Sequence, residues 1–89
     1  MRAVITVIGH DTVGIISRFS ALCAEENVNI LDISQSVLED FFAMIMLVDI
    51  SRCKVDFSTF IDRAEEMGKR TGTTVHVQHE DIFNSMHKI

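Results

Sequence analysis

The sequence contains no proline, only four glycines and only two cysteines in 89 residues. It has no low-complexity segment and no linker, so it is expected to form one domain, residues 1–89. Its longest apolar run, FFAMIMLV from Phe41 to Val48, is far short of the ~20 residues that cross a bilayer. No leader is expected either, because AVITVIG is short and is followed at once by His10 and Asp11. Cys23 and Cys53 make neither a disulfide framework nor a metal cluster, which fits a reduced, cytoplasmic location. Basic residues are few and scattered: Arg2, Arg18, Arg52, Lys54, Arg63, Lys69, Arg70 and Lys88, against a net charge of −5. With no basic stripe to neutralise phosphates, nucleic acid is excluded as a partner. Lys69 and Arg70 are read as complementing a helix C-terminal dipole.

What the chain has is apolar side chains, at 47%. A domain this small buries a modest fraction of its surface, so part of this apolar surface is expected to meet another chain. RAVITVIG, rich in β-branched residues and bounded by Gly9, reads as a buried strand. Ile15, Phe19, Leu22 and Cys23 then fall at helical spacing after Gly14, with Asp11 or Thr12 as the expected N-cap. VNILDISQSVLE is a second strand whose alternation slips near Leu31, as a bulge would make it. Glu39-Asp40 is a tight turn without the usual glycine, and FFAMIMLVDIS returns as a third strand. Asp56 caps a second helix, with Val55 and Phe60 placed as a hydrophobic staple. That helix carries the stripe Phe57, Phe60, Ile61, Ala64 and Met67 and ends near Gly72. TTVHVQHE is a final strand. The tail DIFNSMHKI places Ile82, Phe83, Met86 and Ile89 at helical spacing, and these are expected to pack on the domain or on a partner.

The order β-α-β-β-α-β predicts an α+β, ferredoxin-like sandwich. Its four-stranded antiparallel sheet has two helices on one face, and a short C-terminal helix follows. Both faces of the third strand are apolar, whereas the helices cover only one. Self-association through the sheet and the tail is therefore expected, with Phe42, Met44 and Met46 assigned to the contact.

The loop GHDTVG between the first strand and the first helix is too elaborate for a plain connection. A helix N-terminus offers free N–H groups to a carboxylate, Gly14 permits close approach, and Asp11 can accept from an ammonium group. Spacing alone leaves a simpler alternative open: Asp11 caps, Gly14 turns and His10 faces solvent. The loop has neither the spacing nor the lysine of a phosphate loop.

GHDTVGIISRFSALCAEENVNILDISQ resembles the opening of an ACT domain, through Gly14, Ile15, Phe19, Leu22, Asn29, Ile30 and Gln35. The element order resembles the family's over the whole chain, and the ending is similar to that of small stand-alone members. Those are relatives of the ACT halves of the glycine-cleavage repressor and of formyltetrahydrofolate deformylase. The resemblance implies a regulatory, non-enzymatic module that binds an amino acid or similar small molecule between subunits of a homodimer or dimer of dimers. It assigns His10, Asp11, Thr12, Val13 and Gly14 to one side of the ligand and the neighbour's Asn29 and Ile30 to the other. The family often has proline where Val13 stands, and some members place a polar contact at Gly9.

Two other functions fit the fold less well. An acylphosphatase-like enzyme needs an arginine in the loop, and none lies between Gly9 and Gly14. A purely structural dimerisation module would bind nothing. No metal or cofactor is expected: His76 and His79 point to opposite faces of a strand, and neither His10 nor His87 completes a two-histidine spacing.

Overall fold

The computed structural model describes residues 1–10 and 13–86. The β-branched run at the start forms β1, Arg2–Gly9, and the spaced apolar residues after Gly14 form α1, Ile15–Glu25. There follow β2, Asn29–Leu38; β3, Phe41–Asp49; α2, Phe57–Thr71; β4, Thr74–His79; and α3, Glu80–Met86. The strands form one sheet in the order β2-β3-β1-β4, every neighbour antiparallel. This is the expected ferredoxin-like sandwich with its extra short helix.

Period-2 alternation decides what each strand gives to the core. Ala3, Ile5 and Val7 of β1, and Phe42, Met44, Met46 and Val48 of β3, lie on the helix side and are fully buried. Ile15, Phe19, Leu22 and Cys23 of α1 and Phe60 and Ala64 of α2 close over them. Burial pushes the Cys23 thiol up to about 11, helped by nearby Cys53, so Cys23 is an inert core residue. Cys53 lies in the loop between β3 and α2, half-buried and packed against the core.

The assignment of Phe42, Met44 and Met46 to a subunit contact is thereby corrected, since the helices already cover them. The outer face instead carries Ile8, Phe41 and Ile45, at 40%, 52% and 41% exposure. In the register Ala43 lies beside Ile8, and Ile45 lies between Thr6 and Ser34. Apart from Thr6, the central strands are thus apolar on this side, and the edges carry serines and His76.

β2 has the expected bulge, where its pairing jumps from Ile30↔Val48 to Asp32↔Leu47. The extra residue lets both Ile30 and Ile33 face the core and leaves Leu31 exposed. The β2–β3 turn is Glu39-Asp40, with Glu39 at φ 57°. α3 is tied to the sheet by the Arg2–Glu80 ion pair and by the Gln78 amide on the Met86 sulfur, 3.2 Å. Phe83 is half-buried, but Ile82 and Met86 stay exposed, so only part of the tail packs on its own domain. Ile89 lies outside the described residues.

Asp56 caps α2 as expected, its Oδ1 accepting from the Thr59 amide at 3.0 Å. Hydrogen bonds from Thr59 hold its carboxyl below the usual aspartate value. A lowered folded value means that this contribution to stability is complete above the unfolded value near ~3.9. It is lost as pH falls through the folded one. We expect Asp56→Asn, which keeps an acceptor but cannot titrate, to flatten the acid limb of a Tm-against-pH curve. Calorimetric melts from neutral to acid pH check this; parallel curves for the two proteins would contradict it.

Candidate functional site

The end of β1 and the start of α1 meet at the loop. Gly9 is fitted closely to Thr73: a Cβ there would stand 2.8 Å from the Thr73 methyl. Its lack of a side chain serves packing. His10 turns outward, its ring 4.5 Å from that of Phe41 and its Nδ1 3.6 Å from the Asp40 carboxylate. Asp11 and Thr12 lie outside the described residues. Val13 is exposed.

The N-cap of α1 is Gly14, at φ 78° and ψ −2°, which corrects the expected cap at Asp11 or Thr12. A left-handed residue turns the chain into the helix here, and that conformation is open to glycine at no steric cost. Its carbonyl accepts from the Arg18 amide at 3.0 Å, closing the first turn. Gly14 has no side chain with which to cap, and a helix N-terminus carries free N–H groups and the positive end of the dipole.

Two arginines reinforce that end. A Cβ on Gly14 would lie 3.8 Å from the Arg18 Nε, so the guanidinium folds back over the glycine. A small cleft of about 190 Å³ beside it is lined by Val13, Ile15, Arg18, Arg70 and Thr71. The C-terminus of α2 thus brings Arg70 to the N-terminus of α1. The sequence reading missed both arginines as site residues. Arg18 carried a signal, one helical turn after Gly14; Arg70 carried none, because only the packing of the helices brings it near.

Asn29 and Ile30 lie elsewhere. Asn29 pairs with Asp49, which pairs with Arg2 at the far end of β1. The eight residues of β1 separate it from the loop, roughly 25 Å at about 3.3 Å per residue. Ile30 packs against the core, while Asn29 is exposed and lines a polar cleft of about 490 Å³ with Asn27, Asp49, Ser51 and Arg52. Ser51 donates its hydroxyl and amide to Asp49 and, with the N-terminal ammonium nearby, holds that carboxyl below its usual value. One chain therefore does not bring the two halves of the expected site together. Among the described residues no group of three or more histidine, cysteine, aspartate or glutamate side chains is placed to hold a metal. Among the described residues no helix is long and apolar enough to cross a membrane.

Residues 2–78 match the model of the ACT domain family. The chain belongs to the ACT domain family. It is 54% identical to a UPF0237 protein of Methanocaldococcus jannaschii over 88 residues, 99% of this chain and 98% of that one. Among solved structures it is similar to an ACT domain protein from Streptococcus pneumoniae. That match has 38% identity and TM-score 0.82 and covers 93% of each chain. The same fold recurs in a formyltetrahydrofolate deformylase from Pseudomonas syringae, with 18% identity and TM-score 0.78 over 88% of this chain and 27% of that one. It recurs again in a putative glycine cleavage system transcriptional repressor, with 11% identity and TM-score 0.77 over 86% and 45%. At such identities the likeness concerns the fold alone. ACT domains are typically regulatory ligand-binding modules.

The backbone at Gly14 makes its own prediction. Gly14→Ala should cost about 1–2 kcal/mol, the usual penalty of a left-handed L-residue, although the side chain has room. Gly14→Asn should cost less. Urea denaturation measures both; an unchanged midpoint for Gly14→Ala would mean that the helix begins in some other conformation.

Proposed function

We propose that this ACT domain is a regulatory, non-catalytic module that binds an amino acid or similar small carboxylate and works as a homo-oligomer. The observation that carries the reading is the N-terminus of α1, which has the glycine Gly14 as its N-cap, Arg18 folded over that glycine and Arg70 beside it. A carboxylate placed there meets backbone N–H groups, a helix dipole and two guanidinium groups. His10, Asp11, Thr12, Val13 and Gly14 form this half of the proposed site, Asp11 serving the amino group. Asn29 and Ile30 of a second copy form the other half, and the distance between the two ends within one chain supports that division. Asn29 has both a donor and an acceptor to offer.

Self-association through the outer sheet face is supported by the exposed Ile8, Phe41 and Ile45 between polar edges, an apolar centre with a polar rim. The same face also suits a dimerisation module that binds nothing, and ligand binding separates the two readings.

A ligand that binds only the native state stabilises it by mass action, by ~2.7 kcal/mol at a hundredfold excess over its Kd, and so raises Tm. We expect at least one of the twenty amino acids to do so. Arg18→Met and Asn29→Ala, measured by calorimetry, should each weaken that amino acid about tenfold or more, as loss of a charged or buried hydrogen bond does. Gly14→Val is the poorer probe, since its backbone strain is independent of any ligand. No response to any amino acid favours the structural module; a response unchanged in both variants places the site elsewhere.

Sedimentation tests the assembly. Wild type should exceed the monomer mass at micromolar concentration, and Ile45→Glu, which puts a charge at the centre of the apolar face, should return it to monomer. A wild-type monomer would refute the assembly.

A further inference from the structure

On the solvent side of the helix layer, α1 and α2 bound a groove of about 600 Å³ that shares only Arg70 with the residues of the ligand site proposed above. Glu26, the C-cap of α1, lines it and is only 6% exposed. One carboxylate oxygen, Oε1, accepts from the Arg63 guanidinium. The other, Oε2, is buried and without a hydrogen-bond partner. A buried carboxylate oxygen left unpaired is costly. This one also sits at the negative end of a helix, which opposes it further.

The rest of the groove is complementary to a cation with an apolar stem. Leu22 is buried in it and Met67 is half-buried against the core. Glu25, Asp62 and Glu66 add three carboxylates and Arg70 one guanidinium. With Arg63 engaged by Glu26, the balance of the groove stays negative. We propose that this groove takes an alkylammonium group, its methylene stem along Leu22 and Met67 and its ammonium on Glu26 Oε2. An ammonium brings three donors to an acceptor that the fold leaves unserved. The Arg63 side chain is half exposed and so able to change rotamer, and the ammonium's approach to the buried oxygen requires such a movement at the groove wall. Two sources supply this chemistry, a free aliphatic polyamine or a lysine side chain of a protein partner.

Titrations followed in ¹H–¹⁵N spectra of the full chain test this. The probes are butylamine, spermidine and an end-blocked lysine-containing peptide, with butanol as the neutral control. The amides of residues 22–26 and 62–67 should shift saturably with butylamine and not with butanol. Glu26→Gln, similar in shape but uncharged, should weaken the response about tenfold or more, whereas Glu65→Gln, outside the groove, should leave it unchanged. Tighter binding of spermidine assigns the groove to free polyamines, and tighter binding of the peptide assigns it to a partner's lysine. The absence of saturable shifts at these amides in wild type overturns the proposal whether or not the variant folds. So does equal affinity in a folded Glu26→Gln.

Discussion

The pairing of β1 with β3 is the constraint on which the rest of the molecule depends. It runs without interruption from Arg2↔Asp49 to Gly9↔Phe42. It fixes which side chains face the helices, because a slip of β3 by one residue would turn Met44 and Met46 outward while Ile5 stayed inside. It also sets the two ends of the molecule. The loop, the N-terminus of α1 and the C-terminus of α2 gather at one end, and Asn29, Asp49 and the C-terminus of α1 at the other. A helix running from one end to the other presents its positive pole at the first and its negative pole at the second. Arginines collect at the first, Arg18 and Arg70. A carboxylate lies buried near the second, at Glu26.

Most of this architecture was legible in the residues, because local chemistry and tertiary packing agree along most of the chain. The bulge at Leu31 showed as a slip in alternation, and the α2 cap showed as Asp56 before an apolar stripe. The exceptions share a cause. Along FFAMIMLV both parities are apolar, so periodicity could not say which set meets the helices. Phe42, Met44 and Met46 were assigned outward, although Phe41, Ile45 and their neighbours hold that place. Cap patterns point to side chains that accept hydrogen bonds, whereas the N-cap position of α1 is a left-handed glycine. Gly14 looked like a residue inside the helix and is the turn before it.

The candidate site was legible only in part, for a geometric reason. His10, Val13 and Gly14 fall within five residues and could be read as a loop, and Arg18 could have been added by its spacing. Arg70 could not, since 56 residues separate it from Gly14 and only helix packing joins them. The half-satisfied Glu26 was equally silent, because a glutamate near a helix end looks the same in sequence whether it is solvated or buried.

The left-handed turn at Gly14 also limits how this end of the molecule can change. Every other natural amino acid is an L-residue, so enlarging the side chain at that position strains the backbone before it alters the space around it. Natural variation at position 14 is thus a poor means of resizing the cleft, and adjustment falls to Val13, Arg18, Arg70 and whatever a second copy presents. Chemistry has a route that heredity lacks. A D-alanine introduced there by synthesis would favour the same positive φ and carry a methyl group on the mirror-image side of the Cα. It would alter the shape of that end while leaving the turn intact.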